Sequence, residues 1–205
     1  MKYLIICLIS ISGFTHCIAQ TKKHITDPKA KQLNDNALTI FMRSPDNPDT
    51  ILVVNHMLDA ALKIDSNYYE GWVNKLSLQC HFDHFEDGLK TAKKMMRIFP
   101  SNDETKMFCG ILQYKTGHKE DALAIFTKLL KQYNAALEKN KKNPENRGLL
   151  FNKGIILVLV DKTYEGKILL KSIYDSEKDP MIKSNIAFYV NSTKDQIIDD
   201  KIPGK

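Results

Sequence analysis

Residues 69–102 read YEGWVNKLSLQCHFDHFEDGLKTAKKMMRIFPSN, and residues 103–136 read DETKMFCGILQYKTGHKEDALAIFTKLLKQYNAA. Laid over one another without a gap, they agree at Glu70/Glu104, Leu78/Leu112, Gln79/Gln113, His84/His118, Glu86/Glu120, Asp87/Asp121, Leu89/Leu123 and Lys94/Lys128. A period of 34 residues is the length of a helix–turn–helix unit. Apolar residues recur at helical spacing in both copies: Leu89, Ala92, Met96 and Phe99 in one, Leu123, Phe126, Leu130 and Tyr133 in the other. The breaks His81-Phe82-Asp83-His84 and Lys115-Thr116-Gly117-His118 fit tight turns between paired helices. Pro100-Ser101-Asn102 separates the copies, with Ser101 or Asn102 placed to cap the next helix.

Two degenerate copies flank this pair. Upstream, Asp27-Pro28 marks a helix start, and Leu33, Ala37, Ile40 and Phe41 line one face of a helix ending near Met42. Ala60 to Asn67 reads as the end of a second helix, with Ile64 one period before Ile98. Downstream, Lys153-Gly154-Ile155 matches Cys109-Gly110-Ile111 at an offset of 44. The extra length extends the helix from Lys119 to about Lys142, followed by a polar loop ending at Pro144. Gly166 then stands for Ala122 and Leu170 for Phe126. A final helix over 179–200, with Ile182, Ile186, Tyr189 and Val190 inward, caps the array.

These residues resemble tetratricopeptide repeats. Trp72, Gly88 and Pro100 fit that pattern in one copy, and Gly110, Gly117, Ala122 and Phe126 in the next. The resemblance implies an all-α fold: an α-α superhelix of about four hairpins (28–67, 69–102, 103–142 and 145–178) closed by the capping helix. It also implies that first helices line a concave groove that binds proteins. The groove candidates are Glu70, Val73, Ser77 and His81, then Glu104, Met107, Ile111, Tyr114 and Lys115, then Phe151, Ile155, Val158 and Leu159. The apolar stripe of the last set also suits a slot filled by the chain's own C-terminal helix. The family brings no catalytic residues and no cofactor.

Residues 1–19 have the layout of a secretory signal peptide: Lys2, an apolar run from Leu4 to Ile11, and Cys17-Ile18-Ala19 as a small-x-small site. The expected product is exported to a periplasmic or outer-envelope location, with 20–27 as a flexible lead-in. Lipidation at Cys17 is the competing use of that segment, but His16 is not the small residue that lipoprotein signals favour there. No other stretch is long and apolar enough to span a bilayer. Beyond the leader two cysteines remain, Cys80 and Cys109, both at helix-interior positions that suit buried, unpaired thiols; export leaves a disulfide between them as the alternative.

The net charge of +6 comes from 30 basic and 24 acidic residues interleaved along the chain. That pattern lacks the concentrated basic face of a nucleic-acid binder. Cys80-His81-x-x-His84 offers three metal-ligand types, but adjacent residues on a helix point to different faces, and no second cluster stands at metal-site spacing. No phosphate loop, nucleophile elbow or zinc-protease motif occurs. The expected function is a non-catalytic adaptor for a peptide or helix. The alternative is an inhibitor or immunity-type protein that blocks one exported enzyme or toxin.

Overall fold

The computed structural model describes residues 24–45, 47–139 and 146–202. The leader, Cys17 and the loop before Pro144 lie outside the described residues. Within them the chain is all-helical: α1 (Pro28–Arg43), α2 (Pro48–Ile64), α3 (Tyr69–His81), α4 (Phe85–Ile98), α5 (Asp103–Lys115), α6 (Lys119–Lys139), α7 (Asn146–Leu159), α8 (Thr163–Ser176), α9 (Pro180–Asn191) and α10 (Lys194–Lys201). The described residues form two compact units, one of 24–122 with 198–202, the other of 123–197. Helices α1 to α5 each pack on the next in the first unit, as α7, α8 and α9 do in the second.

One turn recurs three times. At the end of α3 the His84 amide bonds to the Gln79 carbonyl and the Asp83 amide to Cys80. The same two bonds close α5 (His118 to Gln113, Gly117 to Tyr114) and α7 (Lys162 to Leu157, Asp161 to Val158). This is the Schellman arrangement, which needs a left-handed residue just past the helix. Asp83 (φ 58°), Gly117 (φ 87°) and Asp161 (φ 63°) supply it. Their spacings reproduce the offsets of 34 and 44. The first hairpin closes differently, through Ser44 and Asn47, whose side chain caps α2 at the Asp49 amide.

The connectors also repeat. Asp65 bonds to the Ala61 carbonyl and Tyr68 to Asp65, as Phe99 does to Met95 and Asn102 to Phe99. Asn102 is the cap of α5, accepting from the Thr105 amide. Asp27 caps α1 from Lys29 and Ala30, each such cap stabilising by about 1 kcal/mol. The lead-in, expected to be flexible, is tied down over 24–27: His24 Nε2 lies 2.8 Å from the Asp65 carboxylate, which also accepts from the Asp27 amide at 3.0 Å. Burial pushes the Asp65 carboxyl up. The Asp27 and Asn67 amides and His24 outweigh it and hold the group below its ordinary value.

The core of the first unit begins with Ala37, Phe41, Val54, Leu58 and Leu78. A buried amide pair crosses it, Asn74 of α3 donating to Asn34 of α1 at 2.8 Å. Two expectations need correction. In the second helices the buried stripe is Leu89, Ala92 and Met95, then Ala122, Phe126, Leu129 and Tyr133; Leu123 is 44% exposed. The small residues Gly88 and Ala122 set the inward face, which moves it one position from Met96 and Leu130.

The expected single helix over 179–200 is two. Lys167 donates to the carbonyls of Tyr189, at 2.7 Å, and Ser192, which closes α9. Thr193 and Gln196 then form a reciprocal box at the start of α10: the Thr193 amide donates to the Gln196 side chain, and the Gln196 amide to the Thr193 hydroxyl.

Candidate functional site

The α5 face is the best-developed candidate. Glu104, Phe108, Ile111 and Lys115 recur along it at i, i+4, i+7 and i+11, which places them in one row. At its C-terminal end the Lys115 ammonium lies 2.6 Å from Asp199, near the end of α10, and 4.9 Å over the Phe85 ring. The Lys115 side chain is only 13% exposed, whereas Asp199 is 67% exposed. At the other end Glu104 accepts from the Tyr69 hydroxyl at 2.6 Å. Burial and the Glu104 charge drive the Tyr69 phenol upward, and burial lowers the Lys201 ammonium. Ile198 and Ile202 are 2% and 3% exposed. Asp199 therefore ties this segment to the C-terminal end of α5.

The groove candidates divide by chemistry. Glu70 and Glu104 are exposed; Ser77, His81, Tyr114 and Lys115 are partly buried; Val73, Met107 and Ile111 are core. The apolar members of the set thus serve packing, and the polar members reach the surface. The Tyr114 ring carries the Lys119 ammonium at 5.4 Å. The His81 ring meets Phe41 and Phe82 edge-on at 5.4 and 4.7 Å. In the second unit Phe151, Ile155, Val158 and Leu159 are buried, and Phe151 packs edge-on against Tyr189 of α9 at 5.1 Å.

Sequence reading missed Asp199, Lys201, Tyr69 and Phe85 as contributors to the α5 face. The signal for α10 was present in Thr193-x-x-Gln196 followed by Ile198 and Ile202 four residues apart.

Cys80 and Cys109 are free and buried, and burial pushes their thiols up to about 12 and about 11. A thiol raised that far holds almost no thiolate at neutral pH, so neither is an activated nucleophile. Cys80 faces Gly88, His81 sits among aromatic rings, and His84 is exposed, so the three do not converge. Among the described residues no group of three His, Cys, Asp or Glu side chains could hold a metal ion, and no helix is long and apolar enough to cross a membrane.

Compared with known proteins, the chain matches no family model, no curated protein and no solved structure.

Proposed function

We propose that this chain is a non-catalytic scaffold of the bacterial periplasm or outer envelope, holding a peptide or helix of a partner protein on its hairpin array. The observation that supports the reading is the α5 face, where Lys115 already holds Asp199 of the chain's last helix. Laying a short helix on a helical groove is a recurring mode of peptide recognition. The tetratricopeptide resemblance supports the same use of first helices, and the layout of residues 1–19 supports export. The raised thiols argue against cysteine catalysis.

Tagged protein incubated with envelope fractions should retain a defined partner, and Lys115→Glu should reduce its recovery at least fivefold. Equal recovery by both proteins, or no recovery across several salt concentrations, overturns the reading. If the protein captured is an exported enzyme or toxin that loses its activity when bound, the inhibitor alternative replaces the adaptor.

A further inference from the structure

The chain enters α1 at a corner shared with the end of α2. His24 Nε2 lies 2.8 Å from the Asp65 carboxylate, which also accepts from the Asp27 amide at 3.0 Å. These bonds bring the sequence neighbours Ile25 and Ile64 to one corner of the first unit. Ile25 is 88% exposed and Ile64 41%.

Lysines flank both. Residues 22–31 read KKHITDPKAK, four lysines against one aspartate, and Lys63 precedes Ile64. Lys29 and Lys63 are exposed. The nearby carboxylates already hold partners. Asp27 accepts from the Lys29 amide at 2.8 Å, Asp65 gathers His24 with the Asp27 and Asn67 amides, and Asp35 takes the Lys31 ammonium. Charge is also graded along α2. Val53, Met57, Ala60 and Ile64 recur at i, i+4, i+7 and i+11 and so share one row, partly or largely exposed. Asp49 stands one turn before that row and Lys63 beside its end, while Asp59 is taken by Lys75. The row therefore turns cationic where it meets Ile25.

We propose that this corner, Ile25 and Ile64 with Lys29 and Lys63, is a docking surface for a bilayer of anionic lipid. The isoleucines enter the boundary between headgroups and acyl chains, and the ammonium groups meet the headgroup phosphates. Apolar insertion joined to basic charge is how peripheral proteins hold a membrane surface. The preceding chain makes the same demand. Cys17 stands seven residues before His24, so at most about 25 Å of extended chain separates residues 1–17 from the corner, and Lys22 and Lys23 lie in that span. Whatever holds the leader segment at a bilayer delivers that bilayer to Ile25. This rests on the envelope location proposed above and names the surface that meets the envelope.

Protein recovered from the envelope of expressing cells, its N-terminus read by mass, tests this by sedimentation with vesicles. Equal parts of phosphatidylglycerol and phosphatidylcholine should bind it at least tenfold more tightly than phosphatidylcholine alone, and screening at about 0.5 M salt should remove most of that preference. Ile25→Asp should weaken binding at least tenfold and Lys29→Glu/Lys63→Glu at least fivefold, with helical circular dichroism unchanged. Ile168→Asp, at an exposed isoleucine of the second unit, should leave binding as it is. Equal binding to both vesicles, equal binding by wild type and Ile25→Asp, or an equal loss in Ile168→Asp overturns the proposal.

Where the recovered form keeps its leader or carries a lipid, local amide exchange decides. Anionic vesicles should protect residues 25–31 and 61–65, and Ile25→Asp should abolish that protection; unaltered protection overturns the proposal. A dimer that Ile25→Asp dissociates, without vesicle binding, assigns the corner to a second copy and also overturns it. Vesicle binding without any captured envelope protein removes the scaffold role and leaves the membrane surface. Capture without vesicle binding does the reverse.

Discussion

A methyl group added at Gly88 in α4 would lie 3.2 Å from the Cys80 sulfur, a contact that a small side-chain movement relieves. Added at Gly166 in α8, it would lie 2.8 Å from the Gly154 carbonyl oxygen and 2.8 Å from a Val158 methyl. The two hairpins share the same left-handed turn, yet α7 and α8 approach until backbone touches side-chain space, whereas α3 and α4 keep a layer of side chains between them. The turn sets the direction in which the second helix returns. The residue one turn into that helix sets how near it comes.

The largest expected effect strikes that difference directly. Gly166→Ala should destabilise by about 2–3 kcal/mol, because backbone must move to admit the methyl group. Urea unfolding followed by circular dichroism measures it, and an unchanged midpoint would mean that the α7–α8 approach is not the tight one.

The connectors sharpen the comparison next. Asp65 and Phe99 occupy equivalent backbone positions, but only Asp65 gathers donors, while Phe99 packs edge-on against Tyr69 at 5.2 Å. Asp65→Asn should cost about 1–2 kcal/mol at pH 7. In the folded protein the Asp65 carboxyl is held below its ordinary value. Its contribution is therefore present above the unfolded pKa of about 4 and is lost as pH falls through the lower folded value. Melting temperature followed from pH 6 to pH 2.5 should fall in that window, and less steeply in Asp65→Asn.

The turns come third. Gly117→Ala places a β-carbon at φ 87° and should cost about 1 kcal/mol. Asp83→Gly relieves the same geometry and should raise the melting temperature slightly. The smallest effect is at Gly88, where Ala gains helix propensity of roughly 0.5–1 kcal/mol against a modest contact with Cys80. A net change within about 0.5 kcal/mol is expected. A Gly88→Ala loss equal to that of Gly166→Ala would erase the distinction between the hairpins.

Periodicity made the hairpins legible, because turn and connector hydrogen bonds follow the same offsets as the sequence identities. It misled at Leu89 and Leu123, identical in the alignment but 3% and 44% exposed. An identity reports common placement along the chain, whereas burial depends on what each neighbour covers. The left-handed residues were legible only at Gly117. Asp83 and Asp161 adopt that conformation because Asp tolerates it better than most residues, and the Schellman bonds hold them there. The α5 face was legible as a helix face, but the Lys115–Asp199 pair was not, because it joins residues 84 positions apart. The start of α10 is marked in the sequence by the Thr193–Gln196 box.

The buried pair of Asn34 and Asn74 bears on how such an array assembles in order. Similar hairpins invite shuffling, since one apolar face can stack on another's neighbour. The residue one period beyond Asn74 is Phe108. Seated there by mistake, α1 would bring the Asn34 amide against a ring instead of its partner, at a cost of about 1–3 kcal/mol for the stranded group. The amide pair thus works as a key cut for one lock, admitting the first hairpin to its own berth and refusing it the next.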